Sequence, residues 1–213
     1  MDSRESGPHL MEAARAGAEL MGVRYENHGL LTTPQLHYIV RCKNDPSFGE
    51  ATEMGYYAKI TDAFKRLMEL NGESKQSSYS PNLILDCANG VGAKKMRMLC
   101  QFLPENALIV QFRNEDGELN HKCGADYVKI RQTLPENFGD VDTNAKCASF
   151  DGDADRLIYF RRATNNGEKA VLLDGDKIAV LIAKYVKEAL NCAGINRSHY
   201  GSSTNCLCQW KLD

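Results

Sequence analysis

Residues 149–156 read Ser-Phe-Asp-Gly-Asp-Ala-Asp-Arg, which sets three carboxylates, Asp151, Asp153 and Asp155, at every second position directly after an apolar run. In an extended segment that spacing aims all three side chains the same way. Three like charges held together repel unless a cation sits among them, and hard carboxylate oxygens favour Mg2+, Mn2+ or Ca2+ over zinc. A solvated acidic turn is the plainer reading of the same residues. Position decides for a metal: the triplet stands at a strand's end, between small residues, with apolar sequence on both sides. Arg156 follows the third carboxylate, where it can neutralise the cluster or present its guanidinium fork to a phosphate, and the phosphate role is favoured.

Two templates test the triplet. An EF-hand loop opening at Asp151 needs glycine sixth and glutamate twelfth, but those positions hold Arg156 and Arg162. A phosphatase that forms an aspartyl-phosphate places its nucleophile in a D-x-D motif after a buried strand, which Asp151-Gly152-Asp153 satisfies. Asp155 then stands where threonine or valine is expected, so this reading is kept as the alternative. The turn Asp86-Cys-Ala-Asn-Gly-Val-Gly92 has G-x-G without the third glycine of a dinucleotide loop and reads as structural. His9, His28, His37 and His121 share no metal-ligand spacing, and His199 lies in a patternless tail. The eight cysteines are scattered with no C-x-x-C pair; Cys206 and Cys208 form only a C-x-C, and Asn196-Arg-Ser198 fits a glycosylation pattern without a secretory signal. Reduced thiols in the cytoplasm are expected.

The elements that must hold the loop follow from periodicity. Helical spacing predicts a helix over residues 6–21, ended by Gly22, then a short extended stretch (23–25) and a loop (29–34). Residues 43–49 read as a linker, with Ser47 and Glu50 as a capping box opening a helix whose buried stripe is Tyr56, Ile60, Ala63, Phe64 and Leu67. A polar loop spans 71–80. Strands are expected at 83–85, 107–112, 146–150 and 156–161, with a helix over 92–102, and a last helix carries Ile178, Leu181, Ile182, Tyr185, Val186, Ala189 and Leu190 on one face behind Asp174-Gly175-Asp176. This alternation is an α/β pattern with a mixed, mostly parallel sheet flanked by helices. The helix at 6–21 has little to pack against, so partial neighbouring domains are expected.

Composition narrows the classes. The 213 residues carry 26 Lys+Arg against 28 Asp+Glu, net charge -2, which argues against a large nucleic-acid footprint. Hydrophobic residues at 43% and charged residues at 25% describe a globular protein, and the longest strongly apolar stretch, 178–183, falls far short of the about 20 residues a membrane span needs.

The loop Asp151-Gly-Asp-Ala-Asp-Arg156 resembles the magnesium loop of the α-D-phosphohexomutase family. Leu31-Thr-Thr-Pro-Gln-Leu-His-Tyr38, Leu85-Asp-Cys-Ala-Asn-Gly-Val-Gly92 and Leu119-Asn-His-Lys-Cys-Gly-Ala-Asp-Tyr-Val-Lys129 resemble its eukaryotic branch that works on N-acetylglucosamine phosphates. The resemblance implies an isomerase that interconverts N-acetylglucosamine 6-phosphate and the 1-phosphate through a phosphoserine, on the route to UDP-N-acetylglucosamine. It further implies Mg2+ on Asp151, Asp153 and Asp155, where it polarises the transferring phosphoryl group, and Arg156 on the phosphate. A phosphorylated amino sugar is then the partner, and the chain is expected to be a cytoplasmic monomer with no nucleic-acid or membrane partner.

The departures are equally definite. The family's serine loop, approximately T-A-S-H-N-P, is absent, as are its sugar-recognition loop and its R-x-S-G-T-type phosphate loop; Tyr200-Gly-Ser-Ser-Thr204 resembles a stretch of the third domain, after which the sequence diverges. The expectation is a chain truncated at both ends, a fragment or isoform: residues 1–42 a remnant of domain one, 43–170 domain two with the metal loop, 171–213 the start of domain three. No catalytic nucleophile is assigned, and the chain is expected to be inactive alone. A non-catalytic binding remnant is the further alternative.

Overall fold

Leu83, Ile84 and Leu85 point alternately to the two sides of a sheet, and each side has its own core. The strand that carries them, β1 (Asn82–Asp86), runs parallel to β2 (Ile109–Arg113) on one side and to β3 (Cys147–Phe150) on the other, with Ile84 opposite Cys147 and Leu85 opposite Ala148. β4 (Leu157–Arg162) returns antiparallel to β3, and β5 (Ala170–Leu173) antiparallel to β4, giving the order β2-β1-β3-β4-β5. All strands but β4 therefore point the same way, the mixed, mostly parallel sheet expected from the sequence. The structure, a computed structural model, describes residues 4–71, 79–164 and 169–194.

On one face, Leu85 and Ala148 pack with Cys87 and with Ala93 of α4 (Gly92–Phe102), flanked by Leu83, Met96, Val110, Phe112, Phe150 and Leu157. On the other, Cys147 and Phe160 pack with Phe138, Val141 and Val128 of α5 (Ala125–Arg131), flanked by Ile84 and Leu172. The period of two along each strand separates the two cores.

Four further α-helices stand among the described elements. In chain order with the others they are α1 (Gly7–Leu20), α2 (Thr33–Asn44) and α3 (Glu53–Asn71), and α6 (Gly175–Cys192) follows β5. Tyr38, Ile39 and Cys42 of α2 form a third small core with Leu31, Phe48, Ala51 and Tyr56. Beneath it runs a polar chain: Gln35 Nε2 donates to the Tyr57 hydroxyl (2.8 Å), which donates to Glu53 Oε1 (2.7 Å), and Lys95 Nζ of α4 reaches the same oxygen at 2.7 Å. By contrast, Leu10 and Leu20 of α1 and Leu181, Ile182, Tyr185 and Val186 of α6 are exposed.

Several sequence expectations need correction. The loop at 29–34 and the linker at 43–49 enclose a helix that periodicity did not reveal: α2 begins at Thr33, and the capping box forms there, the Gln35 side chain accepting from Thr32 N at 3.0 Å. Ser47 instead lies in a 3-10 turn (Pro46–Phe48), and the Thr52 hydroxyl accepts from Gly55 N to open α3. In α3, Tyr57 and Thr61 are buried, whereas Ile60 (41% exposed) and Leu67 (64% exposed) are not. Polar side chains occupy that buried face because each finds a partner, Thr61 Oγ1 bonding back to the Tyr57 carbonyl at 2.8 Å. The short α5 and β5 had no periodic signal. Cys206, Cys208, Asn196, His199 and the stretch 200–204 lie outside the described residues.

The connectivity decides where a ligand can sit. From β1 the chain crosses through α4 to β2 on one side, then returns through α5 to β3 on the other. Crossovers that diverge in this way open a crevice at the carboxyl ends of β1 and β3, the usual ligand position in open α/β sheets. The triplet of carboxylates follows the end of β3.

Phe138 is 1% exposed and its ring lies 5.4 Å from that of Phe160, centroid to centroid. Phe138→Ala should cost about 3–5 kcal/mol of stability, read as a lowered urea midpoint with an unchanged slope.

Candidate metal centre

β3 delivers Asp151 at its carboxyl end, in the middle of the sheet, and β4 removes the chain again, so residues 151–156 must reverse direction within a few positions. They do so as a turn and not as the extended loop the spacing suggested: Ala154 N donates to the Asp151 carbonyl at 3.1 Å and Ala154 takes a left-handed φ of 57°. The turn still brings the carboxylates together. One oxygen from each of Asp151, Asp153 and Asp155 lies within 4.8 Å of the other two, and among the described residues no other group of three metal-ligating side chains does this.

The turn is held from two sides. Val91 N donates to the Gly152 carbonyl at 3.0 Å, and a Cβ on Gly90 would collide with that carbonyl oxygen. On the opposite flank a Cβ on Gly152 would meet Leu119 Cδ1 at 2.6 Å. The glycines of the Asp86–Gly92 turn thus permit close approach of two loops, in keeping with its structural reading.

Beneath both loops lies Asp86, fully buried at the end of β1. Its Oδ1 accepts from Ala88 N (3.2 Å) and Asn114 Nδ2 (2.9 Å), its Oδ2 from Gly124 N (2.7 Å) and Ser149 Oγ (2.5 Å). Asp86 therefore ties the ends of β1, β2 and β3 to the start of α5. It also occupies the hydroxyl of Ser149, the serine nearest the triplet in sequence.

Electrostatics within the cluster are uneven. Burial pushes the Asp151 carboxyl upward, but the backbone N–H and guanidinium of Arg156 and a hydrogen bond shared with the Asp155 carboxyl outweigh it and hold Asp151 below the ordinary carboxylate range. Burial and then the charge on Asp151 push Asp153 up; burial and a hydrogen-bonding, like-charged Asp151 do the same to Asp155. Arg4 Nη2 stands 3.9 Å from Asp153 Oδ2. A cation among the three would relieve the repulsion that raises Asp153 and Asp155, and an all-carboxylate oxygen set suits Mg2+. The residues present fit that ion.

Arg156 lies against carboxylates: its Nε is 2.7 Å from Asp151 Oδ2 and 3.6 Å from Asp155 Oδ1, and its Nη1 pairs with Asp126 Oδ1. In this structure it neutralises the cluster, one of the two roles its position allowed. Asp151, at 3% exposure with both oxygens already accepting hydrogen bonds, is poorly placed for the in-line attack that the phosphatase alternative requires.

All four residues singled out from the sequence, Asp151, Asp153, Asp155 and Arg156, therefore meet at one place. Two others escaped sequence reasoning. Asp86 carried a faint signal, a carboxylate closing an apolar strand. Asp126 carried none, because a seven-residue helix shows too few turns to declare a face.

The family profile described as phosphoacetylglucosamine mutase AMG1, domain II, matches residues 47–158, more than half of the chain. The chain belongs to the phosphoacetylglucosamine mutase family. The phosphoacetylglucosamine mutase of Sus scrofa is 45% identical over 196 residues, covering 89% of this chain and 34% of that protein; the Homo sapiens enzyme is 42% identical with the same coverage. The chain thus spans about a third of the length of the curated mutases it matches. Among solved structures, the Aspergillus fumigatus N-acetylphosphoglucosamine mutase in complex with GlcNAc-6P and magnesium superposes with a TM-score of 0.79 at 37% identity, over 96% of this chain and 43% of that one. An N-acetylglucosamine-phosphate mutase of the α-D-phosphohexomutase superfamily, in its product complex, gives 0.77 at 40% identity, over 89% and 35%.

Two predictions follow from this geometry. Gly90→Ala forces the β1–α4 turn off the Gly152 carbonyl, and should both destabilise the fold by about 1–3 kcal/mol in urea denaturation and weaken Mg2+ binding by calorimetry. The second concerns pH. A carboxyl raised in the fold, as Asp153 and Asp155 are, contributes stability below its ordinary range and loses it as pH rises through the folded value; depressed Asp151 contributes above its ordinary range and loses it as pH falls. Mg2+ requires all three deprotonated. Mg2+ should therefore raise the thermal midpoint at neutral pH and leave it unchanged near about pH 3, where ordinary aspartate carboxyls are mostly protonated.

Proposed function

We propose that this chain contributes the metal-binding part of a phosphoacetylglucosamine mutase active site, in an isomerase that interconverts N-acetylglucosamine 6-phosphate and N-acetylglucosamine 1-phosphate on the route to UDP-N-acetylglucosamine. The observation that carries this reading is the convergence of Asp151, Asp153 and Asp155 at the divergence of the two crossovers, in a chain of this family. Asp151, Asp153 and Asp155 hold Mg2+, which when bound supplies positive charge to polarise a phosphoryl group. Arg156 keeps a cation at the rim and offers the unused edge of its guanidinium to phosphate oxygens. The carboxyl end of β3, the Gly90–Gly152 contact and Asp86 fix these groups before substrate arrives, so that little reorganisation is needed on binding.

Residues 1–42 are read as belonging to domain one, 43–170 as domain two, and 171–213 as the start of domain three. Support comes from the profile match over 47–158 and from the exposed apolar residues of α1 and α6. The described cysteines are all free thiols, four of them buried, which supports a reducing compartment such as the cytoplasm. No described helix is long and apolar enough to cross a membrane.

Calorimetric titration of the 213-residue chain should show Mg2+ binding that Asp153→Ala abolishes. Assayed alone with N-acetylglucosamine 6-phosphate, Mg2+ and a sugar bisphosphate primer, it should give no turnover, because Ser149 is buried on Asp86 and no serine stands in the family's loop context. Release of inorganic phosphate would favour the phosphatase alternative. Absence of Mg2+ binding would reduce the chain to a binding remnant.

A further inference from the structure

Arg156 is shared between two carboxylates of different kinds. Asp151 is a member of the metal triplet; Asp126, in the first turn of α5, is not, and its carboxylate pairs with Arg156 Nη1 while Nε takes Asp151. Those two contacts use the Nε and Nη1 sides of the guanidinium. Nη2 takes no hydrogen-bond partner among the described residues, so one edge of the fork remains open for an oxyanion.

A cation entering the triplet changes this balance. It takes up the negative charge of Asp151 and repels the guanidinium beside it, so the contact at Nε weakens as the metal binds. Asp126 stands outside the triplet and keeps its own charge. Its place is set by the core: Asp86 Oδ2 accepts from Gly124 N at 2.7 Å, which fixes the start of α5 two residues before Asp126. From these contacts we infer that Asp126 is the positioning residue for Arg156, holding the guanidinium at the rim of the metal loop, with its Nη2 edge open, so that it binds a phosphoryl oxygen of the substrate. This rests on the proposed reading of the triplet as a Mg2+ site.

The sign of one substitution separates positioning from plain electrostatics. Asp126→Asn removes a negative charge near a phosphate site, which by field alone should tighten phosphate binding. A positioning role demands the opposite: an untethered Arg156 and weaker binding. In the 213-residue chain saturated with Mg2+, inorganic phosphate and N-acetylglucosamine 6-phosphate should bind about two- to five-fold more weakly to Asp126→Asn, the scale of an exposed ion pair. Asp126→Glu should restore affinity, and Asp126→Asn should change nothing further once Arg156→Gln is present. A readout independent of phosphate is the set of Nη–H NMR resonances of Arg156, assigned by their loss in Arg156→Lys, because Asp126 pairs with Nη1. With Mg2+ bound they should be distinct and slowly exchanging in the wild type and merge with those of mobile arginines in Asp126→Asn. Unchanged or tighter phosphate binding in Asp126→Asn, additivity with Arg156→Gln, or an already mobile Arg156 in the Mg2+-bound wild type would each overturn the inference. A wild type that binds no Mg2+ would instead remove the reading of the triplet, and the NMR comparison without metal would still decide whether Asp126 holds Arg156.

Discussion

A single buried carboxylate organises everything around the candidate site. Asp86 has no exposure to solvent, and four donors from four different parts of the chain converge on it: the turn after β1, Asn114 after β2, Gly124 at the start of α5, and Ser149 on β3. A buried acceptor left without its partners costs about 1–3 kcal/mol per lost bond, more for a charged group. The segments that supply those donors are therefore not free to drift apart. Three loops that would otherwise be independent become one rigid rim.

On that rim the chain stores a like-charge conflict. Asp151 is relieved by Arg156 and by backbone N–H groups, but Asp153 and Asp155 are pushed toward their protonated forms by burial and by Asp151. Holding three carboxylates within 4.8 Å is unfavourable for the fold by itself and favourable for a divalent cation. The same arrangement explains why Arg156 is doubly held. One partner, Asp151, is inside the cluster; the other, Asp126, is outside it, two residues after the Gly124 N–H that Asp86 accepts.

The remainder of the described chain serves attachment. The polar chain Gln35–Tyr57–Glu53–Lys95 joins α2, α3 and α4 across a small aromatic core, fastening the segment before the sheet onto the helix that covers one of its faces. α1 and α6, in contrast, keep large apolar side chains exposed.

The sequence by itself determined the chemistry and the class of fold. Carboxylates at alternate positions after an apolar strand, between small residues and flanked by apolar sequence, point to hard-cation chemistry, and alternating apolar runs and amphipathic helices specify an α/β sheet, because both signals are local and periodic. Only the tertiary structure decided the rest. The convergence of Asp151, Asp153 and Asp155 comes from a tight turn clamped between Gly90 and Leu119, not from strand alternation. The buried face of α3 went to Tyr57 and Thr61, not to Ile60 and Leu67, because hydrogen-bond partners from α2 and from the preceding turn of α3 made polar burial favourable. The roles of Asp86, faintly signalled at the end of an apolar strand, and of Asp126 were decided in the same way: apart from Ala88 N, their partners lie 28 to 63 residues away along the chain, and the order β2-β1-β3, with its diverging crossovers, brings them within hydrogen-bond distance.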